Sequence, residues 1–339
     1  MSSDADRRTD VHARPAPSPA EAIRAELSLP AVCAPMTAVS GPELVAAACK
    51  AGVVGALPPQ NAARHEEFRL WMAQISESLK RHADEGPGAR VGPLAVNLHT
   101  RKSLPELQDD LAVSVAHGVR IFITAMGNPR EVAKMVHDAG GLIFHDVTTI
   151  RHAEKAIGAG VDGLTCVCAG GGGHSGAMSP LVFVPHVRSI FDGVVIMAGG
   201  VSTGRAIRAA EVLGADLAYL GTRFIATRES RADPRYKAMI AELSSGDLAF
   251  TSRVSGVAAN WLKASLHLQG IDLEGLAAST GAAALQDGVK LWRDVWSCGQ
   301  GMDLIEDVPS VDELVGRLKD EYHSALAAPG IQAGKGPRP

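Results

Sequence analysis

Short apolar runs that alternate with segments of helical period, eight such alternations, and glycines where the helical segments stop together predict an α/β fold, a (β/α)8 TIM barrel. The strands fall at 29–35 (LPAVCAP), 53–58 (VVGALP), 92–98 (GPLAVNL), 119–126 (VRIFITAM), 141–147 (GLIFHDV), 161–168 (VDGLTCVC), 194–200 (VVIMAGG) and 215–222 (ADLAYLGT). Eight strands, each followed by a helical segment, suit a closed barrel better than an open sheet. Helix starts are signalled by Ser40 with Pro42 and Glu43, read as a capping box, and by the same device at Ser103 with Glu106 and at Asn128 with Pro129 and Glu131. Helix ends are signalled by Gly52, Gly118, Gly140, Gly160 and Gly214, because glycine takes the left-handed conformation without a Cβ clash. Over 203–214, Ala206, Ile207, Ala210 and Leu213 share one side while Arg205, Arg208 and Glu211 share another, which predicts an outer-ring helix between barrel and water. Residues after about 225 exceed what an eighth helix needs. The stretch 251–266, with Trp261, is read as part of a C-terminal extension covering the active-site face. Segments 1–24 and 326–339 are expected to be disordered, leaving the barrel and its extension over 25–325.

Composition narrows the function classes. The 339 residues are 46% hydrophobic and 21% charged, enough for one large core, and the formal charge of −4 offers no broad field for nucleic acid or an anionic membrane. Small molecules are the expected partners, with a homo-oligomer left open. The first twenty residues lack the apolar stretch of a secretory signal and no run of eighteen apolar residues occurs, so a cytoplasmic protein is expected. Cys33, Cys49, Cys166, Cys168 and Cys298 are odd in number and show no C-x-x-C spacing, which points to neither a disulfide framework nor a metal site.

Barrel enzymes carry their sites at the C-terminal ends of strands. After strand seven comes AGGVSTG (198–204) and after strand eight YLGTRF (219–224), two glycine-rich turns in the loops that commonly hold a phosphate. Backbone N–H groups at Gly200, Gly221 and Thr222 can approach an anion closely there. After strand six, CAGGGGHSG (168–176) places His174 on what reads as a flexible, unencumbered loop at the barrel top. An imidazole titrates close to neutrality, so His174 is the candidate acid or base. Asn97 ends strand three and both donates and accepts, which suits a planar ligand. Met36 and Thr37 stand at the top of strand one. His145 and Asp146 end strand five as an ionisable pair. Cys166 and Cys168 share one face of strand six and are read as inert core thiols. Trp261, Trp292 and Trp296 either shape the pocket or pack.

Taken together, APMTAVSGPELVAAACKAGVVGAL, PLAVNL, HDVTTIRHAEKAIGAGVDGL, CAGGGGHSG, AGGVSTGRAI, GADLAYLGTRF and WSCGQG, over roughly 27–320, resemble the nitronate monooxygenase (2-nitropropane dioxygenase) family. The resemblance implies FMN as cofactor and oxidation of alkyl nitronates, and in some members nitroalkanes, with O2. By position it implies His174 as catalytic base, Asn97 and Gly172 as ring and loop contacts, and Gly200, Tyr219, Leu220, Gly221 and Thr222 as the phosphate cradle. Many members have glutamine where this chain has Val167, so one contact to the isoalloxazine is missing or supplied elsewhere. The same motifs resemble NAD(P)H-dependent flavin reductases acting on an enoyl thioester or a quinone, and a flavin-free phosphate-binding barrel stays open as a third reading.

Overall fold

All eight apolar runs form parallel strands: β1 (Ala31–Cys33), β2 (Val54–Leu57), β3 (Leu94–His99), β4 (Ile121–Ala125), β5 (Leu142–Val147) and β6 (Gly163–Val167), then, past the short β7 (Gly173–His174), β8 (Val194–Ala198) and β9 (Leu217–Leu220). They pair in the order β1-β2-β3-β4-β5-β6-β8-β9, and β9 returns to β1 through Ala31↔Ala218 and Cys33↔Leu220, closing the barrel. The computed structural model describes residues 17–327 except 87, 101, 274 and 276–287. Helix α1 (Pro19–Glu26) precedes the barrel, and α2 (Pro42–Lys50), α3 (His65–Glu85), α4 (Leu104–Ala116), α5 (Arg130–Asp138), α6 (Ile150–Ala159), α7 (Pro180–Ile190) and α8 (Gly204–Val212) make the crossovers. Their apolar faces meet the outward strand residues in the larger of two main cores.

The second core fills the barrel. Val32, Val54, Ala56, Ala95, Ile121, Ile123, Phe144, Val194, Ile196 and Leu217 form an interior plug, joined by Ile23 and Leu27 from helix α1 and its end. The chain therefore closes its own barrel bottom, and the expectation of disorder over 1–24 is corrected for the described part: Ser18 and Glu21 form a capping box that starts α1. Residues 1–16 lie outside the described residues. At the other end, α12 (Val311–Ala327) keeps 326 and 327 helical, and 328–339 lie outside the described residues.

Two helix starts differ from expectation for a local reason. Ser103 and Glu106 do cap α4. Ser40 does not cap α2, which starts after Gly41; its hydroxyl instead accepts from the Met36 N–H at 3.0 Å and closes the turn beyond β1. Asn128 spends its side-chain oxygen on the Arg130 N–H at 3.1 Å, a turn and not a capping box. The polar side of α8 also meets protein as well as water. Glu211 takes hydrogen bonds from Arg24, Arg208 and Tyr322, because α8 lies between α1 and α12.

Beyond α9 (Thr222–Ile225) and α10 (Pro234–Glu242) the extension folds as β10 (Leu248–Thr251), β11 (Ala259–Leu262) and α11 (Lys263–Leu268). Strand β11 pairs antiparallel with both β10 and β7, so the extension grips the loop after β6. No helix among the described residues is long and apolar enough to cross a membrane.

Candidate active site

The floor of the site follows from strand periodicity. Two residues beyond the apolar plug, the same inward row reaches Ala34, Asn97, Ala125, Asp146, Val167, Ala198 and Tyr219, and all of these line one cavity of about 360 Å3. That volume lies in the range of cofactor and small-ligand sites. The adjacent row faces the helices. His145, read in the sequence as paired with Asp146 and touching either ligand or only its partner, is turned away from the site: its Nδ1 lies 2.8 Å from Thr124 Oγ1, and burial, with repulsion from His152 second, lowers its pKa to about 4. Cys166 and Cys168 lie in the same outer layer, where burial pushes both thiols up, Cys168 to about 12. Thiols so rarely ionised are poor nucleophiles, in line with the sequence reading.

The two glycine turns meet along one wall. Gly199, Gly200, Val201 and Ser202 after β8 and Gly221 and Thr222 after β9 all line the cavity. Gly200 has φ +70° with open space where a Cβ would stand, so backbone conformation and not crowding asks for glycine. Among the described residues no lysine or arginine lines the cavity, so an anion on this wall would be met by backbone N–H groups. Thr222 has a second task, since its Oγ1 accepts from the Gly299 N–H of the extension at 2.8 Å. Leu220 is the one cradle residue that does not line the cavity. It is fully buried in the barrel wall opposite Cys33, so its side chain has no place in the cradle.

His174 sits on a built roof, which corrects the reading of a flexible, unencumbered loop. Strand β7 pairs with β11 through Ala259↔His174 and Asn260↔Gly173. Asn260 Nδ2 donates to the Gly171 carbonyl at 2.7 Å, the Gly173 N–H donates to Ser297 Oγ at 2.8 Å, and Ser297 donates in turn to the Asn260 carbonyl. The Gln300 N–H donates to the Gly170 carbonyl at 2.9 Å, and a Cβ on Gly172 would come within 2.9 Å of Gly299 N. The glycines around His174 and the GQG stretch are thus two faces of one backbone contact. The imidazole meets the Trp292 ring edge-on at 5.2 Å, and Trp292 stacks on buried Trp261 at 4.6 Å. Trp292 therefore shapes the cavity, whereas Trp296 packs on Tyr236 at 5.1 Å.

Met36, Thr37, Asn97, Val167 and Gly172 all line the same space. Asn97 is steered by Gln60, whose Nε2 donates to its Oδ1 at 3.4 Å, while its own Nδ2 donates to the Ile123 carbonyl at 3.3 Å. Sequence reasoning missed Gln60, His99 and Ser202, left Trp292 open between shaping the pocket and packing, and treated Asp146 only as one of a pair with His145. The period of two held the signal for Asp146, since Phe144 and Asp146 must share a face. The three non-glycine residues with left-handed backbone among those described, Ala38, Met126 and Trp292, all stand at or beside the rim, where strain is commonly tolerated for function.

With this geometry in hand, comparison with known proteins identifies the family. The sequence profile "Nitronate monooxygenase" matches residues 78–321. This chain belongs to the nitronate monooxygenase family. It is 27% identical over 268 residues to (3aS,4S,5R,7aS)-5-hydroxy-7a-methyl-1-oxo-octahydro-1H-indene-4-carboxyl-CoA dehydrogenase of Mycobacterium tuberculosis, covering 78% of this chain and 71% of the relative. It is 25% identical to a nitronate monooxygenase of Paraburkholderia phytofirmans over 88% of this chain and 93% of that one. Among solved structures, FabK from Thermotoga maritima superposes with a TM-score of 0.70 at 26% identity, over 89% of this chain and 95% of that chain. Membership makes this chain an oxidoreductase, and the family implies a flavin.

Proposed function

We propose that this chain is an FMN-dependent nitronate monooxygenase, which oxidises alkyl nitronates and neutral nitroalkanes with O2. One observation carries the reading: the two glycine turns, Asn97 and His174 converge on a single cavity. The site fits a flavin. A glycine-rich wall lets backbone N–H groups approach a phosphate, and a floor bearing buried polar atoms without partners suits a ring with polar edges. Gly200, Gly221 and Thr222 would hold the phosphate, while Met36, Thr37, Asn97, Val167 and Gly172 would surround the ring, joined by Tyr219, whose place in the floor row moves it from the expected phosphate cradle to the ring side. Tyr219 reaches in from the floor, and Leu220 serves only by setting the backbone of the turn. Bound flavin supplies a two-electron acceptor whose reduced form reacts with oxygen.

The chain's own residues do the rest. A C–H beside a nitro group is acidic because the carbanion spreads onto the nitro oxygens, and His174 removes that proton. A nitronate arrives already deprotonated, so for it His174 orients the anion. Trp292, edge-on to the imidazole, fixes the ring direction and keeps water from that side.

The test is anaerobic reduction of the bound flavin. Rapid bleaching by an alkyl nitronate and none by NADH or NADPH is expected. A second reading, an NAD(P)H-dependent reductase acting on an enoyl thioester or quinone, is supported by the likeness to FabK and to a dehydrogenase of a CoA thioester. Bleaching by a nicotinamide alone would establish it in place of the first.

A further inference from the structure

Among the described residues, five buried side-chain polar atoms lack a hydrogen-bond partner, and three of them share the inner face of the barrel: Asp146 Oδ1, Thr165 Oγ1 and Tyr219 Oη. They come from β5, β6 and β9. Asp146 and Thr165 stand opposite each other in the strand register, and Tyr219 reaches close enough to feel the Asp146 charge. Native interiors leave few such atoms unpaired; these three lie just under the cavity floor, where Asp146 and Tyr219 line the space and the Thr165 hydroxyl is close enough to act on the Asp146 carboxyl.

Asp146 is also the only carboxyl lining the cavity among the described residues. The elements packed around it bring no cation: β4 offers Ile123 and Ala125, β6 Thr165 and Val167, β3 Asn97, β8 Ile196 and Ala198, and β9 Tyr219. The other titratable groups in the lining are His99, His174, Tyr219 and Tyr236. A carboxylate largely withdrawn from water with no cation beside it holds its proton to higher pH. Burial pushes Asp146 up to about 7, with the Thr165 hydroxyl opposing the shift in part. A carboxylic acid kept neutral is a hydrogen-bond donor, as in sites that bind oxygen or nitrogen atoms gaining negative charge.

We propose that Asp146 is a protonated carboxylic acid in the cavity floor that donates a hydrogen bond to an acceptor atom of the bound flavin's ring, with Thr165 and Tyr219 as its polar neighbours. The inference rests on the FMN reading and adds to it a binding residue on the floor, away from His174. Once ionised, Asp146 loses its donor proton and turns a negative charge on an electron-rich ring, so flavin binding weakens as pH rises through neutrality.

Two measurements test this. In flavin-free wild-type protein at neutral pH, infrared spectroscopy is expected to show the carbonyl band of a buried protonated acid that is missing in Asp146→Asn; absence of the band from wild type overturns the proposal. FMN affinity measured by fluorescence quenching should fall about tenfold more between pH 6 and pH 8 in wild type than in Asp146→Asn, whose amide donates at both values. Titration of the phosphate and of the histidines is common to both proteins and cancels. Equal pH dependence, with the band present, shows a neutral acid that does not touch the ring and overturns the proposal. Failure of FMN to bind either protein instead removes the cofactor reading beneath it. Should Asp146→Asn not fold, Thr165→Val serves, because loss of the hydroxyl is expected to move the break in wild-type affinity to higher pH, and an unmoved break counts against the proposal.

Discussion

The roof and the floor of the cavity satisfy their polar groups in opposite ways. In the roof, the backbone of Gly170, Gly171 and Gly173 is matched by Gln300, Asn260 and Ser297, so the loop carrying His174 is held without any ligand. In the floor, Asp146, Thr165 and Tyr219 each keep a buried polar atom unpaired. The contrast teaches that the extension supplies a fixed position for His174, the proposed acid–base group, while the barrel supplies a floor that keeps polar atoms unpaired. Substitutions in the two regions should therefore fail differently.

The largest effect is expected at the tip of the roof. His174→Ala should lower kcat/KM for a neutral nitroalkane by about 10²- to 10⁴-fold, the usual worth of a positioned acid or base. The loss for the matching nitronate should be smaller, since no C–H proton is left to remove. Steady-state kinetics with both substrates checks this, and equal losses would make His174 a general anchor for the substrate.

Next come the ties that hold the roof. Gly172→Ala would press a Cβ toward Gly299 N and the Cys298 carbonyl carbon, at 2.9 and 3.0 Å, both backbone atoms that cannot swing away. A cost of about 1–3 kcal/mol, typical of overpacking, should appear in denaturant unfolding. Asn260→Ala leaves the buried Gly171 carbonyl without its 2.7 Å donor, for a penalty of about 1–3 kcal/mol. Flavin affinity should change less than stability in Asn260→Ala, because Asn260 does not line the cavity. If either substitution leaves unfolding unchanged, the roof is not held as described.

A further set of effects, on the pH dependence of stability, separates two neighbours on one strand. The Asp146 carboxyl ionises near 3.8 when unfolded and keeps its proton to about 7 when folded. Its stabilisation is thus whole below 3.8 and is lost as pH rises through 7. His145, with its ordinary 6.5 lowered to about 4, does the reverse: its contribution is whole above 6.5 and is lost as pH falls through 4. Melting temperatures of flavin-free protein should show Asp146→Asn removing the loss toward pH 7 and His145→Gln the loss toward pH 4. Interchanged effects would mean that the two side chains face opposite to their strand parity.

Particular residues show why the barrel was legible in the sequence and the roof was not. Strand interiors are apolar whatever lies beside them, and Gly52, Gly118, Gly140, Gly160 and Gly214 all adopt left-handed backbone, so punctuation and period sufficed. His174 stands out in the sequence because its residue type suits acid–base chemistry, and it does line the cavity. Its setting was not, because the pairing of Gly173–His174 with Ala259–Asn260 joins segments about eighty-five residues apart through backbone atoms, which no side-chain pattern records. Ser40 misled for a related reason, since a hydroxyl before a helix can cap it or close the preceding turn, and only tertiary structure decides. Asp146 was legible in principle: strand parity separates it from His145, but its burial becomes visible only once the barrel closes.

The proposed phosphate wall is the part on which the rest depends, and comparing FMN with riboflavin tests it most directly. If the backbone N–H groups after β8 and β9 grip the phosphate, wild-type protein should bind FMN at least about a hundredfold more tightly than riboflavin, the worth of one or two charge-assisted hydrogen bonds. Equal affinity for the two would contradict a phosphate site at these turns.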